Sequence, residues 1–216
     1  MSKTLDLTKE LISKPSVTPN DMGCQDLISQ RLKTLGFEVE QINFGEVSNL
    51  WATIGEGNKM LVLLGHTDVV PTGPIEQWDS DPFTATQREG LLYGRGVADM
   101  KGSVAAFITA CEEIYTQKIP IKEKLGIMLT SDEEGPARDG IKKVIAELTE
   151  RKIFIDWCLV GEPTSEETLG DSIKIGRRGS IGASITILGT QGHIAYPDKA
   201  DNPIHNSIEA IKEIST

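Results

Sequence analysis

The chain has 216 residues, of which 38% are apolar and 25% charged, with a net charge of −10. That is an ordinary globular composition, sufficient for one large domain or one domain and part of another, and it excludes disorder, collagen and coiled coil. An acidic chain without a clustered basic face is not a phosphate-backbone binder, and no apolar run approaches the roughly 20 residues of a membrane span, so neither nucleic acid nor membrane is an expected partner. Asp6, Lys9 and Glu10 interrupt any apolar leader core, which argues against a signal peptide. Cys24, Cys111 and Cys158 are scattered with no C-x-x-C pair, which fits a reduced, cytoplasmic compartment.

In chain order, residues 4–13 predict a short helix carrying Leu5, Leu11 and Ile12. Residues 22–35 predict a second, with Cys24, Ile28, Leu32 and Leu35 as its buried stripe and Gly36 as its stop. Phe37–Glu40 alternates as a strand does. Asn49–Ile54 and Met60–Leu64 are short apolar runs bounded by glycine, the pattern of buried strands. A loop-rich stretch, 66–98, leads to a helix over 103–115. Leu125–Thr130 predicts a strand, Ile141–Lys152 a helix and Trp157–Val160 another strand. Strands alternating with helices predict an α/β fold with a mixed, mostly parallel sheet flanked by helices.

The pattern changes near residue 178. Ile181, Ala183, Ile185 and Ile187 alternate as in a half-exposed strand, and a Gly/Pro-rich loop leads to an amphipathic helix with Ile208, Ile211 and Ile214. One strand and one helix cannot enclose a core. The expected organisation is therefore one domain over 1–178 and the opening of a second domain over 179–216.

The chemistry lies where the apolar strands end. Leu61–Gly65 runs into His66-Thr67-Asp68, Ile127–Ser131 into Asp132-Glu133-Glu134-Gly135, and Cys158–Gly161 into Glu162-Pro163. In open α/β sheets, ligands bind beyond the carboxyl ends of the strands. A fourth acid, Asp99, falls just before a predicted helix. Taken singly, such a histidine is more often structural, an aspartate before a helix is usually a cap, and adjacent glutamates are usually solvated. Their convergence on one sheet edge points to a cation site built from histidine and carboxylates, suited to zinc, manganese or cobalt. Glu133 and Glu134 suit a division of labour, one binding the metal while its neighbour takes a proton from water activated there. Asp68, two residues after His66, is placed to hold the other imidazole nitrogen. Gly96-x-x-x-x-Lys101-Gly102-Ser103 imitates a phosphate loop but inverts its Gly-Lys order, which argues against nucleotide binding.

Gly65-His66-Thr67-Asp68-Val69-Val70-Pro71 resembles the first metal motif of the zinc aminoacylase/carboxypeptidase family of co-catalytic metallohydrolases. Gly94-Arg95-Gly96-x-x-Asp99-Met100-Lys101-Gly102 resembles its second, and Asp132–Gly135 and Gly161–Pro163 its third and fourth. The resemblance implies two Zn²⁺ per subunit, with Co²⁺ possible. His66 and Glu162 would hold one, Glu134 the second, and Asp99 would bridge them with a cis bond to Met100. Glu133 would be the general acid and base, and Asp68 would orient His66. Gly176–Ser180, Gly192–Pro197 and Asn202–His205 resemble the family members that hydrolyse N-succinyl-LL-2,6-diaminopimelate to succinate and LL-2,6-diaminopimelate. A tricarboxylate calls for guanidinium forks and hydroxyls, so Arg178, Ser180 and Tyr196 would bind substrate. Without the resemblance, Arg177 and Arg178 are simply a basic pair. His193 would reach across a homodimer interface. The family's late histidine ligand has no counterpart in this sequence, so the resemblance implies the N-terminal part of such an enzyme. The alternatives are an acetylornithine deacetylase or aminoacyl peptidase of the same family, or a non-catalytic truncated homologue.

Overall fold

The computed structural model describes residues 2–176, 179 and 181–215. The chain divides into two compact units, Met1–Ser172 and Ile173–Thr216.

The first unit is built on a five-stranded sheet, with β1 (Glu38–Gln41), β2 (Asn49–Ile54), β3 (Met60–His66), β6 (Lys124–Thr130) and β7 (Trp157–Val160) in the order β1-β2-β6-β3-β7. β2 is antiparallel to both of its neighbours, while β6, β3 and β7 are parallel. Four strands therefore run one way and β2 alone runs against them, a mixed and mostly parallel sheet flanked by helices. Alternation along the strands explains the layers. Leu50, Ala52, Leu125, Ile127 and Leu129 face a core shared with α1 (Lys3–Ile12), α2 (Cys24–Thr34) and α3 (Gly102–Thr116). Trp51, Val62 and Met128 face the opposite side, where α4 (Ile141–Glu150) supplies Val144 and Leu148. Gly126 lies under the Trp51 ring, where an added Cβ would come 3.1 Å from the indole. Both faces being covered, β6 is buried along nearly its whole length, and it reads as a continuous apolar run.

Most predicted elements fall within two residues of the observed ones. Gly36 closes the second helix at φ +90°, a conformation open to glycine without steric penalty. Three differences have identifiable causes. The loop-rich stretch contains a hairpin, β4 (Thr86–Arg88) with β5 (Leu91–Tyr93), turned at Glu89-Gly90 with both residues at positive φ. Its turn carries glutamate rather than the Asn or Asp that usually signals such a turn. A kinked turn, Val97–Lys101, with non-helical dihedrals at Asp99 and Met100, precedes α3. Residues 181–189 carry no regular secondary structure where the alternation predicts a strand. A strand pattern fixes faces, but a ladder needs a partner, and among the described residues of this unit the only pairing is the bridge between Thr190 and Asp201.

The second unit adds a 3-10 turn, Pro197–Lys199, and helix α5 (Pro203–Ser215). Ile204, Ile208, Ile211 and Ile214 of α5 are exposed. No helix among the described residues is long and apolar enough to cross a membrane.

Candidate metal centre

The parallel register sets the site. His66 pairs with Thr130 and Leu64 with Val160, so β3, β6 and β7 end at one edge. His66 closes β3, Glu133 and Glu134 follow β6, and Glu162 follows β7. Asp99 reaches the same edge from the kinked turn before α3.

His66 is buried, and its two nitrogens have different partners. Nδ1 lies 2.9 Å from the backbone oxygen of Asp68. A carbonyl only accepts, so Nδ1 carries the proton and Nε2 presents a lone pair when the ring is neutral. Nε2 lies 3.3 Å from Asp99 Oδ1, 3.6 Å from Glu162 Oε1 and 4.0 Å from Glu133 Oε2. A lone pair and three carboxylates repel one another unless a proton or a cation lies among them. Two overlapping groups, His66 with Glu133 and Glu162 and His66 with Asp99 and Glu134, each bring their donor atoms within 4.8 Å of one another. One imidazole with four carboxylates is a donor set that fits a borderline-to-hard divalent cation.

The Asp68 carboxylate is wholly buried and lies 3.5 Å from His66 Nδ1. It also accepts the backbone N–H groups of Glu133 at 3.3 Å and Glu134 at 3.1 Å. One side chain thus fixes both the histidine and the paired glutamates. Asp132 holds the next loop by accepting three amides, those of Ala137, Arg138 and Asp139. The segment between α1 and α2 wraps the His66–Asp68 turn. Ser16 Oγ donates to Thr67 O, and Thr67 Oγ1 donates to Asp21 Oδ1. Sequence reading named Asp132 only within its motif and missed Ser16 and Asp21, because Ser/Thr/Asn/Asp clusters between helices read as ordinary loop; their side-chain acceptors and donors are the only signal.

Titration follows from these contacts. Burial opposes the charged imidazolium, but Asp68 and then Glu162 outweigh it and raise His66 to about 9. Asp68 is raised by burial yet held below the ordinary aspartate value by its bonds to His66 and the Glu134 amide. Burial raises Glu134, with Asp99 adding to the effect and His66 opposing it. Burial also raises Glu162, against the pull of His66. A pH dependence follows for the cation-free protein. A raised histidine contributes stability that is complete below its ordinary value near 6.5 and lost as pH rises through about 9. The shift corresponds to about 3 kcal/mol. Glu134 and Glu162 act with the same sign at lower pH, since the fold favours their neutral forms. Denaturant midpoints with a chelator present are expected to fall between pH 6 and pH 9.5, and to fall less in His66→Gln. Equal slopes for the two proteins would refute the assignment. With a cation bound, the trend reverses, because the ligands must be deprotonated.

Several sequence-level expectations turn out differently or fall elsewhere. Among the described residues the one cis peptide is Thr18–Pro19; Asp99–Met100 is not cis. The chain reverses there instead through Asp99 at φ −89°, ψ 89° and Met100 at φ 71°, ψ −36°. Arg178 and Ser180 lie outside the described residues. His193 and Tyr196 lie in the second unit, both exposed, with ring centroids 5.8 Å apart and His193 Nδ1 accepting the Ala195 N–H at 3.1 Å.

A histidine and four carboxylates at the C-terminal edge of a mixed α/β sheet form a candidate site for a divalent cation. The sequence profile of peptidase family M20/M25/M40 matches residues 62–214, and the chain belongs to that family. Curated relatives named succinyl-diaminopimelate desuccinylase are 57% identical over 215 residues in Stenotrophomonas maltophilia, 55% over 215 in Xylella fastidiosa and 56% over 216 in Methylococcus capsulatus. The matches cover 100% of this chain, which spans 57% of the length of each of these relatives. Among solved structures, human carnosine dipeptidase 1 superposes with a TM-score of 0.65 at 21% identity, over 73% of this chain and 38% of that one. The Sulfolobus solfataricus M20 metallo-carboxypeptidase gives 0.65 at 24% identity, over 74% and 37%. These structures share the fold.

Proposed function

We propose that this chain carries the metal centre of an amide hydrolase that converts N-succinyl-LL-2,6-diaminopimelate and water to succinate and LL-2,6-diaminopimelate. The observation that carries this reading is the meeting of His66, Asp99, Glu133, Glu134 and Glu162 at one sheet edge. Identity of 55–57% to relatives of that name supports the substrate. In this reading His66 and Glu162 would hold one Zn²⁺ and Glu134 a second, with Asp99 a ligand as well; Co²⁺ would serve in their place. A cation at such a site makes water a competent nucleophile near neutral pH and polarises a carbonyl.

The chain's own groups do the rest. Asp68 keeps the His66 proton on Nδ1. Glu133 takes a proton from the attacking water and returns it to the departing amine nitrogen. Arg178, Ser180, His193 and Tyr196 are assigned to the substrate. Residues 1–178 would form the catalytic domain and 179–216 would belong to a lid or dimerisation domain of a cytoplasmic homodimer.

Dialysis against a chelator is expected to abolish succinate release, and Zn²⁺ or Co²⁺ to restore it. Undiminished turnover without metal would overturn the proposal. Faster hydrolysis of N-acetylornithine than of the succinylated substrate would move the assignment within the family.

A further inference from the structure

Met100 is fully buried although it belongs to the turn that presents Asp99 to the site. Its side chain runs beneath the sheet edge to two glycines, and each precedes a proposed ligand: Gly65 before His66 and Gly161 before Glu162. A Cβ built on Gly65 would lie 2.7 Å from Met100 Cε, and one on Gly161 would lie 2.9 Å from the same atom. Both distances are too short for two carbon atoms not bonded to each other, so a side chain at either position would displace the methyl; Val104 Cγ2, 2.9 Å from the Gly65 position, and Ser103 Cβ and Phe107 Cε2, each 2.9 Å from the Gly161 position, close the same gaps. The two glycines are neighbours across β3 and β7, where the Gly161 N–H donates to Leu64 O at 3.1 Å. The backbone of Met100 lies in the left-handed region at φ 71°. For a residue with a side chain this is sparsely populated and persists only where the surroundings dictate it. Lys101 supplies part of that constraint. Its buried Nζ donates to Leu11 O at 2.9 Å and Lys14 O at 2.8 Å, tying the turn to the end of α1.

We propose that Met100 is a positioning residue for the cation site. Its terminal methyl is the spacer that sets His66, Asp99 and Glu162 at their mutual distances, one through its own backbone and two through the glycines beneath them. The inference rests on the metal-site reading above and adds the element that gives the site its spacing. A thioether suits the task, because it is unbranched and reaches a narrow gap between two backbones.

The test is titration of the metal-free protein with Co²⁺, read by calorimetry and by the visible absorption of the bound ion. Thermal melts of the metal-free forms report fold separately. Met100→Ala is expected to weaken Co²⁺ binding by about 10- to 100-fold, the usual loss for groups that orient metal ligands. Met100→Leu, close in volume, should retain more of the affinity. Gly65→Ala should weaken binding by pushing the methyl from the other side, which keeps the idea testable if Met100→Ala folds poorly. In the double variant Gly65→Ala/Met100→Ala the clash with the methyl is gone, although Val104 Cγ2 still lies 2.9 Å from the new Cβ, so the loss should be smaller than the product of the two single losses. Variants that melt lower yet bind Co²⁺ as the wild type does would overturn the positioning role and leave the metal site standing. A wild-type protein that binds no Co²⁺ would overturn both.

Discussion

Glu133→Gln is expected to retain its bound cations and lose turnover by about 10²–10⁴-fold, the usual contribution of a general base. Glutamine keeps the shape and the backbone N–H that donates to Asp68, but it cannot accept a proton from water. Glu134→Gln should do the opposite and lower cation affinity first. Distance alone does not separate the two, because each shares a candidate group with His66, Glu133 alongside Glu162 and Glu134 alongside Asp99. Burial raises Glu134 and Asp99 adds to the effect, so a positive ion among these carboxylates would stabilise its charged form. Metal content by elemental analysis beside succinate release for both variants decides the matter. Loss of metal in Glu133→Gln with retention in Glu134→Gln would reverse the two roles.

How far the site was legible in the sequence depends on the range of the interaction. β3, β6 and β7 could be read because strands buried on both faces are short apolar runs, and their C-terminal residues could be read as site residues because parallel strands end together. Hence His66, Glu133, Glu134 and Glu162 were visible in the sequence itself. Asp99 was visible as an acid just before a predicted helix, but the conformation of its turn was not. That turn meets neighbours far away in the chain, with the Met100 methyl beside Gly65 and Gly161 and Lys101 Nζ bonded to the end of α1. The β4–β5 hairpin was hidden for a local reason, an unusual Glu-Gly turn. The strand expected over 181–187 failed for a non-local one, since its alternation is real but no described strand pairs with it. Pattern reports which face a residue will present. It does not report whether a partner is there to meet it.

Asp68→Asn is expected to damage the site more than its neutral, same-size chemistry suggests, and without touching a ligand. The carboxylate is wholly buried and accepts two amide N–H groups, from Glu133 and Glu134. An asparagine offers one oxygen, and its NH₂ group would face whichever amide N–H the oxygen does not accept. A buried donor left without an acceptor costs about 1–3 kcal/mol, and relief requires the Glu133–Glu134 segment to shift. His66 loses support at the same time. Burial already disfavours its protonated form, and Asp68 provides the largest opposing contributions. Without that charge the imidazole titration should drop from about 9 toward the ordinary histidine range. The chain has only three histidines, His66, His193 and His205, so the ring-proton NMR signals of the metal-free protein can be assigned by single substitutions. The backbone carbonyl of residue 68 still accepts from Nδ1, so the tautomer should survive while the charge dependence is lost. Turnover and cation affinity are therefore expected to fall together, turnover by at least about 10-fold, as for carboxylates that orient metal-bound histidines. If His66 still titrated near 9 in Asp68→Asn, the raised value would have to come from the other carboxylates, and Asp68 would lose its place as the residue that joins the histidine to the paired glutamates.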